Sequence, residues 1–127
     1  MIILSKEQIK RLHKMQLEAT GGLDGIRDEA LLDSAMSAAF QTFDGVELYP
    51  STVAKIARFT YCLISNHPFI DGNKRIGTYA LLVLLELNRI KTDFTDDDII
   101  RIGLKMADGS MTDDELLALI LERGSKH

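Results

Sequence analysis

The sequence has little of what several protein classes depend on. It contains no tryptophan, two prolines and one cysteine among 127 residues. The single cysteine, Cys62, excludes an internal disulfide and a multi-cysteine zinc site, so we expect a reducing, cytoplasmic setting. Pro- or Ser-rich linkers and internal repeats are also missing. Since domains cluster near ~100–150 residues, we predict one domain over residues 1–127.

Long apolar runs and an excess of positive charge are missing as well. The longest apolar stretch, Tyr79 to Leu85, is far shorter than the ~18 residues of a membrane span. The apolar start, Met1 to Leu4, is too short for the ~7–15-residue core of a signal peptide. Fifteen basic and 19 acidic residues give a formal charge of −4, which argues against an evenly basic nucleic-acid binder. We therefore expect a globular domain that contacts neither membranes nor nucleic acid directly.

Helix signals fill the first half of the chain. Ser5 and Gln8 form a capping-box pattern, which predicts a first helix from about Ser5 to Ala19. Three glycines within residues 21–25 then favour a mobile loop. Apolar residues recur at i, i+3 and i+4 from Leu31 to Phe43, which predicts an amphipathic second helix. A third helix is expected from Pro50 to about Asn66, where the following proline prevents its continuation.

Three more helices are predicted in the second half. Residues 76–87 are apolar almost all round, which is typical of a central helix enclosed by others. Thr95 and Thr112, each followed by acidic residues, are caps for two shorter helices that run to about Met106 and Arg123. The predicted fold class is therefore all-α, a bundle of about six helices around a central apolar helix, with little strand.

One segment concentrates reactive and charged residue types. It is His67-Pro68-Phe69-Ile70-Asp71-Gly72-Asn73-Lys74-Arg75 and lies between the third helix and the central one. His67 precedes a proline and is expected to be extended. Asp71-Gly72 predicts a turn, and Asn73 is expected to cap the helix that begins near Lys74. Phe69 is interpreted as an apolar anchor, and His13 and Cys62 as structural residues without a chemical role.

The start of the central helix has an unusual charge. The other helix starts carry acids in their first turns, at Glu7, at Glu29, at Asp96 to Asp98 and at Asp113 to Glu115, whereas the central helix opens with Lys74 and Arg75. Cations there oppose the helix dipole at a cost of about 0.3–1 kcal/mol each. A bound anion would compensate, because free N–H groups, a lysine and an arginine together suit a phosphate.

The neighbouring side chains extend this phosphate hypothesis. Asp71 is a candidate ligand for Mg²⁺, which prefers one or two carboxylates together with phosphates and water. His67 is a candidate general base for a hydroxyl nucleophile, since histidine changes charge near neutral pH. Taken singly, each of these residues has an ordinary structural interpretation as a turn, a cap or a solvated charge. Their combination with the reversed helix charge favours function.

These residues resemble the signature of the Fic/Doc family, and the ending Asn73-Lys74-Arg75 resembles its Doc branch. The resemblance extends over the glycine-rich loop, the segment Leu31 to Ala35, Pro50 and the central helix. Fic proteins usually have H-x-F-x-[D/E]-G-N-G-R-x-x-R and transfer AMP from ATP to a target hydroxyl. Here Lys74 replaces the second glycine and Thr78 the last arginine. Both departures match Doc toxins, which transfer the γ-phosphate of ATP to a threonine of elongation factor Tu and so halt translation.

The resemblance also implies roles for individual residues. His67 would activate the hydroxyl, Asp71 would bind Mg²⁺, and Asn73, Lys74 and Arg75 would hold the phosphates of ATP with the Gly72 backbone. The glycine-rich loop would be a flap that docks the target segment, with Gly22, Gly25, Ile26 and Arg27 as its candidate residues. The sequence lacks the inhibitory pattern [S/T]-x-x-x-E-[G/N] of many Fic enzymes. Control would then come from a small antitoxin whose tail folds on the toxin.

Other functions remain open from the sequence. The same fold could transfer AMP instead of phosphate, although Lys74 and Thr78 argue against it. A catalytically silent module could only recognise a peptide or a nucleotide, but such a module has no need for His67 and Asp71. An anion-binding regulatory domain without chemistry is a third possibility, which the helix-dipole argument alone does not exclude.

Overall fold

The computed structural model describes residues 1–124. This part of the chain forms six helices and one two-stranded hairpin. The helices occur in the order that the sequence predicts. The elements are α1 (Lys6–Thr20), α2 (Glu29–Ala38), β1 (Thr42–Phe43), β2 (Val46–Glu47), α3 (Thr52–Ser65), α4 (Asn73–Leu87), α5 (Asp96–Asp108) and α6 (Asp113–Glu122). The all-α fold class is therefore confirmed.

Most helix starts form as the capping residues predict. Ser5 and Gln8 make the capping box of α1, Thr95 and Asp98 that of α5, and Thr112 and Glu115 that of α6. The Ser51 side chain accepts a hydrogen bond from the Ala54 N–H at the start of α3. These bonds satisfy backbone donors that have no partner within the helix. The first turn of α3 contains no acidic residue, so the expectation that every helix start other than that of α4 carries an acid is wrong for α3.

The second helix is shorter than the apolar pattern predicts. It ends at Ala38, and the chain then turns into a hairpin in which Thr42 pairs with Glu47 and Phe43 with Val46. Asp44 and Gly45, with φ of 51° and 77°, form the tight turn between the strands, as expected for a two-residue hairpin loop. Phe43 is 71% exposed, so the apolar pattern misassigned it to the buried face of α2. The hairpin around this turn includes residues that the apolar periodicity assigned to the helix.

The core forms around α3 and α4. The central helix packs against α1, α3 and α5, and its inner face includes Ile76, Leu81 and Leu85, each at most 2% exposed. One face of α4 remains open at Tyr79, Leu82 and Leu87. The central helix is thus not enclosed on all sides, because its three packing partners leave this face uncovered. None of the helices in residues 1–124 combines the length and the apolar character needed to cross a membrane.

Candidate active site

The loop that carries the candidate residues begins where α3 ends. Asn66 is the C-cap, and its N–H bonds to the carbonyls of Cys62 and Ile64. The next residue, His67, has a φ of +48°. This left-handed conformation is common just after a helix end, and it replaces the extended one predicted from the following Pro68. Helix termination therefore overrides the local preference of a residue before proline, and the imidazole of His67 is left exposed.

Phe69 fixes the middle of the loop in the core, as the sequence predicts. Its side chain is 2% exposed, and its ring stacks on that of His13 with 3.8 Å between centroids and 15° between planes. Nε2 of His13 lies 2.6 Å from the carbonyl oxygen of Asp71. Since a carbonyl only accepts, Nε2 carries the proton and donates it. His13 thus holds both Phe69 and Asp71.

Asn73 has a different role from the predicted cap. Gly72, with a φ of +78°, occupies the N-cap position of α4, and no side chain caps this helix. The amide of Asn73 instead accepts from the N–H of Phe69 at 2.9 Å and donates to the carbonyl of Phe69 at 3.0 Å. Asn73 is the first residue of the helix, so its amide reaches back and closes the loop. A direct contact of Asn73 with phosphate stays a prediction.

Asp71 is held as a carboxylate. Its Oδ1 accepts from the N–H of Gly72 at 2.8 Å and its Oδ2 from the N–H of Leu23 at 3.2 Å. These two backbone bonds, that of Leu23 first, lower the pKa of Asp71 below its ordinary value, and the positive charge of Arg75 adds to the effect. The carboxylate is therefore ionised at neutral pH. Gly22 is needed beside it, because a Cβ there would lie 2.9 Å from Oδ2 of Asp71.

The two cations at the start of α4 are arranged differently. Arg75 donates to the hydroxyl of Thr20 and, at 3.3 Å, to the carbonyl of Gly21. It thus lies at the C-terminal end of α1, where the helix dipole favours a positive charge. Lys74 is exposed and forms no salt bridge within residues 1–124. The uncapped N–H groups of α4, Lys74 and the nearby Arg75 form a surface suited to an anion.

The glycine-rich loop lies along the motif loop. Ile26 and Phe69 form an isolated antiparallel bridge, and the N–H of Ile70 donates to the carbonyl of Gly25 at 3.1 Å. Arg27 donates through its backbone N–H to Pro68 at 2.8 Å. The candidate flap residues Gly22, Gly25, Ile26 and Arg27 are therefore brought next to His67 and Asp71. That they dock a target segment stays a prediction.

The donor set fits Mg²⁺ held jointly with a substrate. Within residues 1–124 no group of three or more His, Cys, Asp or Glu residues could hold a metal ion. Asp71 offers an ionised carboxylate beside the anion surface. Mg²⁺ in phosphate-processing sites is commonly held by one or two carboxylates with the rest supplied by phosphates and water. The site therefore fits a magnesium–nucleotide complex better than a metal bound by protein alone.

Sequence patterns missed two residues that position the loop. The sequence predicts a structural role for His13 and a place in the flap for Arg27, whereas both contact the backbone of the motif. Their partners are distant along the chain: Asp71 is 58 residues from His13, and His67 is 40 residues from Arg27. Spacing within one helix or loop holds no information about such contacts.

Similarity to known proteins establishes the family of this chain. The chain matches the Fic/DOC family over residues 3–85, which include α1, α2, α3, the motif loop and most of α4. A relative described as Toxin Doc, from Mycolicibacterium smegmatis (strain ATCC 700084 / mc(2)155), is 37% identical over 81 residues, or 62% of this chain and 62% of that protein. The match thus spans less than two thirds of the relative's length. Because the family match covers more than half of the chain, the protein belongs to the Fic/DOC family.

Proposed function

We propose that this protein is the toxin of a toxin–antitoxin pair and that it transfers the γ-phosphate of ATP to a translation factor. The proposed acceptor is the hydroxyl of a threonine in elongation factor Tu. The observation that carries the proposal is the motif loop together with the start of α4. There an exposed imidazole, an ionised carboxylate and uncapped N–H groups with two cations occur within residues 67–75. These parts suit phosphoryl transfer, since its catalysis is mostly positioning and charge stabilisation.

In the proposed mechanism His67 accepts the proton of the target hydroxyl. The hydroxyl oxygen then bonds to the γ-phosphorus, the bond between the γ-phosphorus and its bridging oxygen breaks, and ADP leaves. Lys74, Arg75 and the N–H groups at the start of α4 hold the phosphates. For this, Arg75 turns from Thr20 toward the bound anion. Asp71 would hold Mg²⁺, which neutralises phosphate charge when bound.

The similarity to Toxin Doc supports the toxin part of the proposal. Lys74 and Thr78 favour phosphate over AMP transfer, because the Fic pattern has glycine and arginine at these positions. A toxin needs a means of neutralisation, and the sequence contains no inhibitory [S/T]-x-x-x-E-[G/N] pattern. We therefore propose a small antitoxin as the partner, with a tail that folds as it binds.

Intact mass spectrometry of the target tests this function. The purified protein is incubated with elongation factor Tu, ATP and Mg²⁺, and we expect one phosphate to be added per target. His67→Ala should abolish the transfer while leaving the circular dichroism spectrum unchanged, because His67 is exposed and its hydrogen bonds within residues 1–124 are all made by its backbone.

The other outcomes separate the alternatives. Addition of one AMP would assign the protein to AMP transfer and show that Lys74 does not distinguish the two reactions. Transfer by a folded His67→Ala variant would contradict the general-base role. No mass change with a folded wild-type protein would contradict this target and favour a binding module.

A further inference from the structure

Arg27 joins the glycine-rich loop to the residue proposed as general base. Its Nε donates to the carbonyl of His67 at 2.7 Å, and its Nη2 donates to the carbonyl of Asn66 at 2.8 Å. Its backbone N–H donates to the carbonyl of Pro68 at 2.8 Å. Three successive carbonyl groups, on both sides of the His67 Cα atom, are therefore fixed by one residue.

The backbone of His67 needs such support. Its φ of +48° belongs to a left-handed region that residues other than glycine seldom adopt. A helix that ends this way is usually secured by the N–H of the following residue, but that residue is Pro68, which has no N–H. The guanidinium of Arg27 supplies donors from another part of the chain. It also places a positive charge at the C-terminal end of α3, where the helix dipole favours one.

The side chain of Arg27 is bonded to the backbone of the motif loop. Its two side-chain hydrogen bonds go to the backbone carbonyls of His67 and Asn66. The cations of the anion surface at the start of α4 are Lys74 and Arg75. The planar guanidinium matches two neighbouring carbonyls, and a lysine ammonium cannot reproduce this fork. The geometry therefore distinguishes Arg27 from a general surface cation.

We infer that Arg27 is the positioning residue that sets the orientation of His67 for the transfer reaction. The inference rests on the proposed function, because it takes His67 as the general base. Loss of the two side-chain bonds frees the His67 peptide to leave its left-handed conformation, and the Cβ atom and the imidazole move with it. A displacement of about 1 Å in a reacting group can lower a rate on the order of 10²-fold.

The test compares Arg27→Gln and Arg27→Lys with Arg101→Gln. Arg101 is an exposed arginine on α5, so its variant controls for the loss of a surface charge. Both Arg27 variants keep the backbone bond to Pro68, and thermal unfolding establishes that each is folded. We expect kcat for phosphate transfer to fall on the order of 10²-fold in Arg27→Gln, with the KM values for ATP and for elongation factor Tu unchanged. Arg27→Lys should restore only part of kcat because it cannot bond to both carbonyls.

Other kinetic results would overturn the inference. A raised KM for elongation factor Tu at unchanged kcat would make Arg27 a docking residue of the flap. A raised KM for ATP at unchanged kcat would make it a nucleotide-binding residue. Full activity in Arg27→Lys would show that charge alone matters, and the two-carbonyl contact would then have no role.

A second readout does not depend on activity. The ¹³C chemical shifts of Asn66 and His67, measured by NMR on the free protein, report the backbone conformation at the end of α3. They should change in both Arg27 variants and stay unchanged in Arg101→Gln; unchanged shifts in Arg27→Gln would overturn the inference. If the wild type transfers nothing, the proposed function fails, and these shifts still decide whether Arg27 holds His67.

Discussion

At the scale of single residues, His13 shows how a buried polar side chain supports an active site. It is 2% exposed and contacts the motif through both its ring face and its Nε2–H. Among residues 1–124, the hydrogen bonds recorded for the Asp71 carbonyl come from His13 alone. The bond is partly buried, and such a hydrogen bond contributes about 0.5–1.5 kcal/mol net to stability. The carbonyl precedes the turn into α4, so this bond helps to fix where the helix begins.

The variant His13→Phe isolates this hydrogen bond. Phenylalanine keeps a ring that can stack on Phe69 but removes the donor to Asp71. We expect the free energy of unfolding to fall by about 0.5–1.5 kcal/mol, measured by urea denaturation. Lys14→Gln, at the exposed neighbouring position, is the control and should leave the stability unchanged. Equal unfolding midpoints for His13→Phe and the wild type would show that the bond to Asp71 contributes nothing.

At the scale of elements, the contact between α3 and α4 sets the position of the motif loop that joins them. Gly77 of α4 lies against Ile64 of α3, and a Cβ atom there would overlap Cγ1 of Ile64. Both Ile64 and its neighbour in the core, Ile76, are fully buried. The absence of a side chain at Gly77 is therefore a packing requirement, which the apolar pattern of the central helix did not reveal.

Two glycine-to-alanine variants test this packing. In Gly77→Ala the added methyl group must push α3 and α4 apart, and overpacking of this kind costs about 1–3 kcal/mol. In Gly103→Ala the nearest atoms, on Thr78 and Lys74, lie at 3.5 Å and 3.6 Å from the new Cβ, an ordinary contact. We expect that variant to gain up to about 1 kcal/mol from helix propensity. Thermal unfolding of both measures the difference, and a loss of stability in both would contradict the packing argument.

Elements were predictable from sequence where their causes are local. The capping boxes at Ser5, Thr95 and Thr112 formed as predicted because each needs only residues three apart. The end of α2, the conformation of His67 and the role of Asn73 were predicted wrongly. In each case a turn, a helix end or a loop contact competed with the local pattern. The cluster from His67 to Arg75 was predictable as a candidate site because it is contiguous, whereas the contributions of His13 and Arg27 depend on the fold.

At the scale of the whole molecule, carboxylates connect distant parts of the chain. Glu29 accepts a salt bridge from Lys6 at 2.6 Å, which joins α1 to α2. Asp98 pairs with Arg123 at 3.1 Å, which joins the start of α5 to the end of α6. The N–H of Asp93 donates to the carbonyl of Arg123 at 2.9 Å and strengthens the second connection. Because the two salt bridges require ionised carboxylates, the stability of the fold should depend on pH.

The direction of this dependence follows from four carboxyl groups. Folding lowers the pKa values of four carboxyl groups, those of Glu29, Asp71, Asp98 and Asp108. For Asp98 the hydrogen bond from the N–H of Thr95 lowers the pKa most. Burial raises this pKa, and the side chain of Arg123 lowers it again. The unfolded chain therefore binds more protons in acid, so the stabilisation is complete above about pH 5 and is lost as the pH falls through the lowered pKa values. Urea denaturation across this range should show stability decreasing toward acid.

The variant Asp98→Asn tests one of these carboxyl groups. It should be less stable at neutral pH than Asp97→Asn, which removes a charge from the same helix turn, and its stability should decrease less steeply toward acid. Equal acid slopes in the two variants would contradict the role of the Asp98 carboxylate, which is bonded to Thr95 and Arg123.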